Sequence, residues 1–532
     1  MKTLLRMTLV AAFAMLGACS GGRSDPAADP LALDAQTVPL PPEISFVYPR
    51  TPTFIARDGS DLVFTYNTTE SEKRELGYIR IDGSGFRCLT CGTDIVGETP
   101  YSFGDGRRLL LQQASNQSSG QQSHVVFDCR PSIADCREFT AKPVIGIAAD
   151  NRLQSLQDRV VEVAPAGDAL VWSRIRMDGY FMLLGRLTEQ ADHYQVHDVR
   201  MVNPPADPAL GEIGEPLAQA AWYEAKGIGS DGRTLTFTAT LGESLNFDWY
   251  AMDLVTGRTQ RQTTDPDWDE GGVPSPDLSM YKGARALSHE IAVFANLPRP
   301  GLIDLAIVGP LSNYYLPRHL PLPLPARERK VRHGLHVFDA QGERPGYSGL
   351  AVSAADDAEG WINSGQADVA AWSLDGRRLT VGQRKPEDGI NTRLRVFTFR
   401  NRAPVQVTPQ PTVFPDWAPR IEEFPLRQRL TARVLRGPAG GTATLLMQGN
   451  LLEGVFSVTY INYSTDGCSF LNGSQSMIGA VAINAVYRES LRINGCRSGE
   501  SEANVLFADL LTRGRARSIY EGRAYEIDYG EE

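Results

Sequence analysis

The sequence predicts an all-β protein: a six-bladed, or alternatively seven-bladed, β-propeller followed by a small C-terminal antiparallel β domain. Two observations support this prediction. A short tract centred on Asp-Gly recurs along most of the 532-residue chain, and each copy leads into an apolar run of strand composition. Internal repeats with a period of roughly 40–50 residues are typical of propellers, whose blades are four-stranded sheets.

The repeated tract has the chemistry of a tight turn that enters a strand. Glycine supplies the positive φ that such a turn needs, and aspartate accepts hydrogen bonds from nearby backbone N–H groups. The tract therefore predicts the hairpin between the first two strands of each blade. Its copies are Asp58-Gly59, Asp105-Gly106, Gly167-Asp168, Asp231-Gly232 and Asp375-Gly376, with an eroded copy at Ser275-Pro276-Asp277-Leu278.

These repeats resemble the TolB-like (PD40, WD40-like) propeller repeats, whose pattern is Pro-x-Trp-Ser-Pro-Asp-Gly followed by a strand. The match covers about residues 43–420, although Ser-Pro-Asp is kept only at 275–277. The resemblance implies a propeller over residues 43–424, and protein or ligand binding, since the family includes accessory, peptidase and lyase proteins. Residues 407–419 look like a fourth strand and the opening of another blade.

A distinctive insertion is predicted at about residues 283–345. An apolar segment at 302–308 is followed by Tyr314 and Tyr315, by several prolines and by a basic run. A loop of this composition over a propeller mouth suits a lid or a partner-binding arm, and a blade with irregular outer strands is the alternative. The candidate partner-binding residues are Tyr314, Tyr315 and Trp268.

The N-terminus reads as an export signal. Residues 1–18 combine a short basic region with an apolar run too short to span a bilayer, and they end at Leu16-Gly17-Ala18-Cys19, which resembles the bacterial lipobox. The resemblance implies lipidation of Cys19, with Ser20 favouring the outer membrane over the inner. An ordinary cleaved signal is the alternative. Residues 19–42 are predicted to be a flexible tether.

Six further cysteines form an even set, which in an exported protein favours disulfides. Cys468 and Cys496 stand alone in the last hundred residues and are expected to pair. Local pairing is favoured for the remaining four, as Cys88–Cys91 and Cys129–Cys136, although four cysteines allow three pairings. A redox-active or zinc-binding role for the C-x-x-C sequence is the alternative.

The chain shows no recognisable catalytic motif, and neither a cofactor nor a bound metal is predicted. Its net charge of -10 argues against nucleic-acid binding. Of the seven histidines, His193 and His197 would share one face of a strand and His333 and His336 are three apart, but surface histidines are the preferred interpretation over a metal site. The acidic run at 265–270 could hold calcium, but a polar turn between blades is the preferred interpretation.

Residues 425–532 lack the repeat and contain alternating strand patterns. They predict a β-sandwich-like domain or a curved sheet that serves in binding or packing.

The predicted function is that of a monomeric, membrane-tethered bacterial lipoprotein of the cell envelope. Its propeller would bind an envelope protein or glycan without catalysis. The alternative is a polysaccharide lyase or glycoside hydrolase acting at the propeller channel. A third possibility is an accessory subunit for import or assembly.

Overall fold

The computed structural model describes residues 32–47, 52–68, 71–113, 123–147, 155–287, 289, 291–315, 333–363, 370–385, 391–424, 430–450, 453–480, 484–508 and 511–530. The predicted signal peptide and Cys19 lie outside these residues, as does most of the predicted tether. No helix in the described ranges is both long enough and apolar enough to cross a membrane.

The first sheet after the N-terminus is antiparallel, with strand order β2-β4-β5-β6 and with β3 also paired to β4. A preceding strand, β1, belongs to a later sheet. The strands are β1 (Leu33–Thr37), β2 (Ile44–Val47), β3 (Thr53–Phe54), β4 (Asp61–Thr68), β5 (Ser71–Arg80) and β6 (Arg87–Cys88).

The next eight strands form two antiparallel four-stranded units. They are β7 (Glu98–Ser102), β8 (Arg108–Gln112), β9 (His124–Ser132), β10 (Asp135–Ile145), β11 (Ser155–Val163), β12 (Ala169–Arg176), β13 (Gly179–Glu189) and β14 (Tyr194–Met201). The two outermost strands, β10 and β14, pair in parallel and join both units into one sheet. Each of these two strands is the fourth strand of its unit. Their parallel pairing therefore shows that corresponding strands of the two units point in the same direction.

Three further units complete this part of the chain. Their helices are α1 (Gly214–Ala220), α2 (Ala292–Ala295), α3 (Asp304–Tyr315) and α4 (Ala354–Ala358). Their strands are β15 (Tyr223–Ile228), β16 (Thr234–Ala239), β17 (Asp248–Asp253), β18 (Thr259–Arg261), β19 (Glu270–Pro274), β20 (Met280–Ala286), β21 (His333–Asp339), β22 (Leu350–Ala351), β23 (Ile362–Asn363), β24 (Ala371–Trp372), β25 (Arg378–Arg384) and β26 (Thr392–Phe399).

The sheets close into a ring. The first strands of the first five units contact one another in turn, and β24 of the last unit contacts β3 of the first. The Trp372 indole N–H of β24 donates to the Val273 carbonyl of β19 at 3.3 Å, which joins the fifth and last units. The last unit takes its outermost strand from the N-terminal side of the ring, because β1 pairs antiparallel with β26. Closure by the two chain ends leaves fewer exposed strand edges. Four-stranded antiparallel units arranged in a closed ring define a β-propeller.

The turns predicted from the repeated tract are confirmed. Each glycine of the tract lies between the first and second strand of its unit at positive φ, with values of 64–73° for Gly59, Gly106, Gly167, Gly232 and Gly376. The Asp231 carboxylate accepts hydrogen bonds from the backbone N–H groups of Arg233 and Thr234, at 3.0 and 2.9 Å. In the eroded copy, Leu278 occupies the glycine position at φ 58°.

This topology gives the ring two distinct faces. The tract turns all lie at one end of the strands, and we call this end the turn face. The connections from each fourth strand to the next unit lie at the opposite end, together with the hairpins from second to third strands. We call this end the loop face.

Residues 401–424 contain no strand, contrary to the fourth strand and further blade predicted at 407–419. They form an extended strap across the turn face, where prolines remove donors that a ladder needs. The Gln410 and Val413 N–H groups donate to the carbonyls of Ser230 and Gly232, at 2.8 and 2.7 Å. The Asp168 carboxylate accepts the Thr412 N–H at 2.9 Å. The repeated turns therefore hold the strap.

The C-terminal strands form one eight-stranded antiparallel meander in sequence order, so the sandwich form of the prediction is wrong and the single-sheet form fits. Each strand pairs with the next one along the chain, so the described residues of this part form a single sheet. The strands are β27 (Leu430–Arg436), β28 (Gly440–Gly449), β29 (Glu453–Ser464), β30 (Ser469–Ala480), β31 (Asn484–Gly495), β32 (Gly499–Ala508), β33 (Leu511–Tyr520) and β34 (Arg523–Asp528).

The predicted insertion is narrower than 283–345, because β20 extends to Ala286 and β21 starts at His333. It contributes α2 and α3, which the sequence did not predict. Leu302, Ile307 and Leu311 are wholly buried in the same cluster as the inward face of the C-terminal sheet. A helix that is apolar on all sides lacks the amphipathic period that identifies helices, so its pattern resembles a buried strand.

Candidate functional site

Half of the loop face is covered. The connections around β15–β19 pack into one core with α3 and the C-terminal sheet. Trp268 is 2% exposed and stacks on Phe247 with ring centroids 4.4 Å apart. This burial corrects the suggestion that Trp268 binds a partner at the surface. Tyr314 and Tyr315 end α3, and their side chains lie outside the described set.

The connection between β22 and β23 carries the candidate site. It contains α4, which ends where Gly360 adopts φ 82°. The Trp361 N–H then donates to the Asp356 carbonyl at 3.0 Å, so the indole immediately follows the helix. The aligned strands β25 and β26 supply Gln383, Lys385, Arg393 and Arg395 to the same end of the last unit.

Asp356 is the buried acceptor of this site. Its carboxylate lies 2.9 Å from guanidinium nitrogens of both Arg393 and Arg395. The Gln383 amide donates to it at 3.2 Å. Two guanidinium groups and an amide compensate the buried charge, so Asp356 positions the two arginines.

Asp357 lies in a different environment although it is the next residue. Ser353 Oγ donates to its Oδ2 at 2.8 Å, and its Oδ1 is buried without a hydrogen-bond partner among the described residues. Burial and the neighbouring Asp356 charge raise the pKa of Asp357 to about 7. A half-buried carboxyl with this pKa can give or take a proton near neutral pH.

Trp361 is a half-buried aromatic surface flanked by cations. The Arg393 guanidinium lies 3.8 Å from the indole centroid and the Lys385 ammonium lies 5.3 Å from it. Lys385 has no carboxylate partner in the part of the chain that the structure describes. An aromatic plane beside cations fits a ligand with an apolar ring face and a negative group.

The first strands of three successive units carry a second charged group, here called the inner network. The Lys226 ammonium lies 2.8 Å from the Glu224 carboxylate and 3.2 Å from that of Glu270. Arg159 also contacts Glu224, at 3.0 Å. The Lys226 and both glutamate side chains are at most 1% exposed. The inner network is therefore ion-paired and, apart from the partly exposed Arg159, closed to solvent, and it links three successive units.

The acidic run at 265–270 disperses over separate partners. Asp265 pairs with Arg285, the Asp267 carboxylate lies 2.8 Å from His289 Nδ1, and Glu270 joins the inner network. Burial raises the pKa of Asp269 well above its ordinary range. Within the described ranges, Glu75, Cys88 and Cys91 alone bring three potential ligand atoms together, so the run offers no preformed calcium cage.

The histidines also have separate partners. His193 Nδ1 lies 2.7 Å from Asp192, and His197 Nε2 lies 2.9 Å from Thr188 Oγ1. On β21, His333 Nε2 contacts the Trp268 carbonyl at 3.0 Å.

The cysteines form three pairs in the structure: Cys88 with Cys91, Cys129 with Cys136, and Cys468 with Cys496. Their Cα–Cα distances are 5.7, 5.2 and 5.4 Å, in the range usual for disulfides. Oxidation of these pairs in the cell stays a prediction.

The Asp356–Trp361 site was missed in the sequence. Its local signal was the pair Asp356-Asp357 followed by Glu359-Gly360-Trp361, which resembles an ordinary polar turn. The partners Arg393 and Arg395 lie more than thirty residues away, and only strand pairing brings them to α4.

No family model matches the chain, and no curated relative matches it. Solved β-propeller structures are similar at low identity. TolB from Acinetobacter baumannii is 13% identical over 77% of this chain and 79% of that chain, with a TM-score of 0.29. Oligogalacturonate lyase in complex with manganese is 14% identical over 70% and 97%, with a TM-score of 0.39.

The β-propeller domain of the Trilobed protease from Pyrococcus furiosus is 10% identical over 92% of this chain and all of that chain, with a TM-score of 0.33. All three TM-scores lie below 0.5. The assignment to the β-propeller class therefore depends on the strand order and ring closure of this chain.

Proposed function

We propose that this protein is a lipid-anchored envelope protein whose six-bladed propeller binds an acidic glycan. The binding site comprises Trp361, Lys385 and Arg393 on the part of the loop face that the described residues leave uncovered. The observation that supports it most directly is the half-buried Trp361 ring beside two cations. Sugar rings stack on aromatic planes through their C–H faces, and cations pair with uronate carboxylates.

The distribution of burial supports this side of the ring. The inner network is ion-paired and buried, and the loop face around β15–β19 is packed against the C-terminal sheet. Trp361 and Lys385 are half-buried at the remaining part of the loop face. A ligand that enters there meets an aromatic surface and a lysine, and Asp357 lies in the adjoining helix α4.

The test is binding of hexuronic-acid oligosaccharides to the full mature chain, measured by calorimetry. Trp361→Ala is expected to weaken binding about tenfold or more, since loss of an aromatic contact at a binding centre costs roughly 1–3 kcal/mol. Trp417→Ala is the matched control, because Trp417 is half-buried in the strap on the turn face. Equal affinity for neutral oligosaccharides, or loss with Trp417→Ala alone, would contradict the proposal.

Anchoring through Cys19 is a separate part of the proposal. The lipobox-like Leu16-Gly17-Ala18-Cys19 sequence supports it, and several acyl chains would hold the protein at the membrane. Radiolabelled palmitate should be incorporated by the wild type and not by Cys19→Ser. Equal labelling of both chains would refute the anchor without affecting the glycan site.

A second candidate function is cleavage of the bound glycan, favoured by the pKa of about 7 at Asp357. A carboxylic acid that stays protonated near neutral pH can donate a proton to a leaving-group oxygen. Asp357→Asn should then abolish turnover and leave binding within about twofold. If the wild type binds the glycan but does not cleave it, the cleavage hypothesis is wrong and the binding function stands.

A further inference from the structure

The Cys88–Cys91 pair is more accessible to solvent than Cys129–Cys136. It is as accessible as Cys468–Cys496, but among the described residues it alone has a carboxylate beside both sulfur atoms. It lies in the connection from β6 to β7, on the loop face. Cys91 is exposed and Cys88 is half-exposed. Cys129 is wholly buried beneath its partner Cys136, so a thiol could reach that bond from one side only.

The hydrogen bonding of the pair is closer at Cys88 Sγ than at Cys91 Sγ, which among the described residues has only the Tyr66 hydroxyl at 3.8 Å. The Cys91 backbone N–H donates to Cys88 Sγ at 3.0 Å. A donor aimed at sulfur stabilises its thiolate and makes it the better leaving group. In contrast, Cys136 Sγ faces the Glu138 carbonyl at 3.8 Å, and that acceptor does not stabilise negative charge on sulfur.

A carboxylate lies beside the pair. Oxygen of Glu75 and both sulfur atoms lie within 4.8 Å of one another. Glu75 is 7% exposed and is held by Thr90 Oγ1 at 2.6 Å and by the Lys73 ammonium at 3.0 Å. A positioned carboxylate can take a proton from an incoming thiol and return it to a sulfur atom.

We propose that Cys88–Cys91 is a site of thiol–disulfide exchange with small or protein-borne thiols. Glu75 takes the proton of the first thiol, whose thiolate attacks Cys91 Sγ. The Cys88–Cys91 bond breaks, and its electron pair goes to Cys88 Sγ, which Glu75 then protonates. A second thiolate attacks the external sulfur of the mixed disulfide and releases Cys91. Two external thiols are oxidised to one disulfide while Cys88 and Cys91 are reduced.

Glutathione with rapid alkylation and mass spectrometry tests this on the full mature chain. The Cys88–Cys91 bond should open at least about tenfold faster than Cys129–Cys136 and Cys468–Cys496, and glutathione should be found on Cys91. Opening no faster than the other pairs, or glutathione mapped to Cys88, would overturn the proposal.

Glu75→Gln separates proton transfer from simple access. This variant should open about tenfold more slowly than the wild type at the same pH and glutathione concentration. Glu98→Gln is the matched control, because Glu98 pairs with Arg74 nearby and has no contact with sulfur. Unchanged circular dichroism would show that the Glu75→Gln variant is folded. If this folded variant reacts at the wild-type rate, Glu75 has no part in the mechanism.

Discussion

At the scale of single residues, Asp356 and Asp357 show how adjacent carboxyls acquire different roles. Asp356 is compensated by two arginines, whereas Asp357 has one hydroxyl partner and a raised pKa. Sites that serve binding or catalysis commonly retain such unfavourable groups at a cost in stability. This interpretation makes a pH-dependent prediction.

Asp357→Asn is expected to stabilise the protein at pH 8 by about 1–2 kcal/mol, after allowance for partial solvent screening. The folded pKa of about 7 lies above the ordinary value of 3.8. Ionisation therefore costs stability progressively as pH rises from 3.8 to 7, and the amide removes this cost. The free energy of unfolding of the variant and the wild type is measured with denaturant at pH 8 and pH 4. Asp416→Asn is the control, because Asp416 is exposed. Equal stabilisation at both pH values would contradict the assignment.

Leu278 provides a second residue-scale prediction. It holds the glycine position of the eroded tract at φ 58°, a conformation that costs a side-chain-bearing residue about 1 kcal/mol. The Leu278→Gly variant should therefore be more stable than the Leu278→Ala variant by about 1 kcal/mol. At ordinary helix or strand positions the alanine variant is the more stable of the two. Thermal unfolding of both variants is the measurement, and a more stable alanine variant would argue against the turn.

At the scale of elements, the C-terminal sheet is joined to the insertion through a buried ion pair. Arg299 precedes α3 and its guanidinium lies 2.7 Å from the Glu489 carboxylate of β31, with both side chains at most 1% exposed. The same guanidinium donates to Gln475 Oε1 at 2.9 Å and to the Phe294 and Leu297 carbonyls. This network fixes α2 and α3 against the sheet.

Arg299→Met is expected to destabilise the protein by about 3–5 kcal/mol, because it leaves Glu489 charged and unpaired in the interior. Arg299→Met with Glu489→Met should recover most of this loss, since no uncompensated charge remains. A double-mutant cycle by urea unfolding measures the coupling. A cost below about 1 kcal/mol for the single variant would show that the pair does not join the two parts.

Elements with a local sequence pattern could be predicted from the sequence. Elements that depend on partners distant in the chain could not. The turn at Asp231-Gly232 is fixed by φ 64° and by bonds to the next residues, so its pattern was readable. Residues 407–419 have strand composition, but their N–H groups bond to distant turns. Helix α3 was missed because every side is buried, and the Asp356 site because its arginines lie on other strands.

At the scale of the whole molecule, the ring has one face bound by the strap and another half covered by the C-terminal sheet. Ring closure depends on β1, which pairs with β26. The part of the loop face that the described residues leave uncovered carries Trp361 and Lys385, and the Cys88–Cys91 connection lies on the same face. Because β1 is antiparallel to β26, with Leu33 opposite Phe399, β1 begins at the turn face, on the side of the ring opposite the proposed glycan site.

Hydrogen exchange of the full mature chain, with and without hexuronic-acid oligosaccharides, tests the central claim most directly. The account predicts added protection in residues 354–361 and 391–395, with none for neutral oligosaccharides of the same length. Protection confined to the turn face or to the outer face of the C-terminal sheet would contradict it.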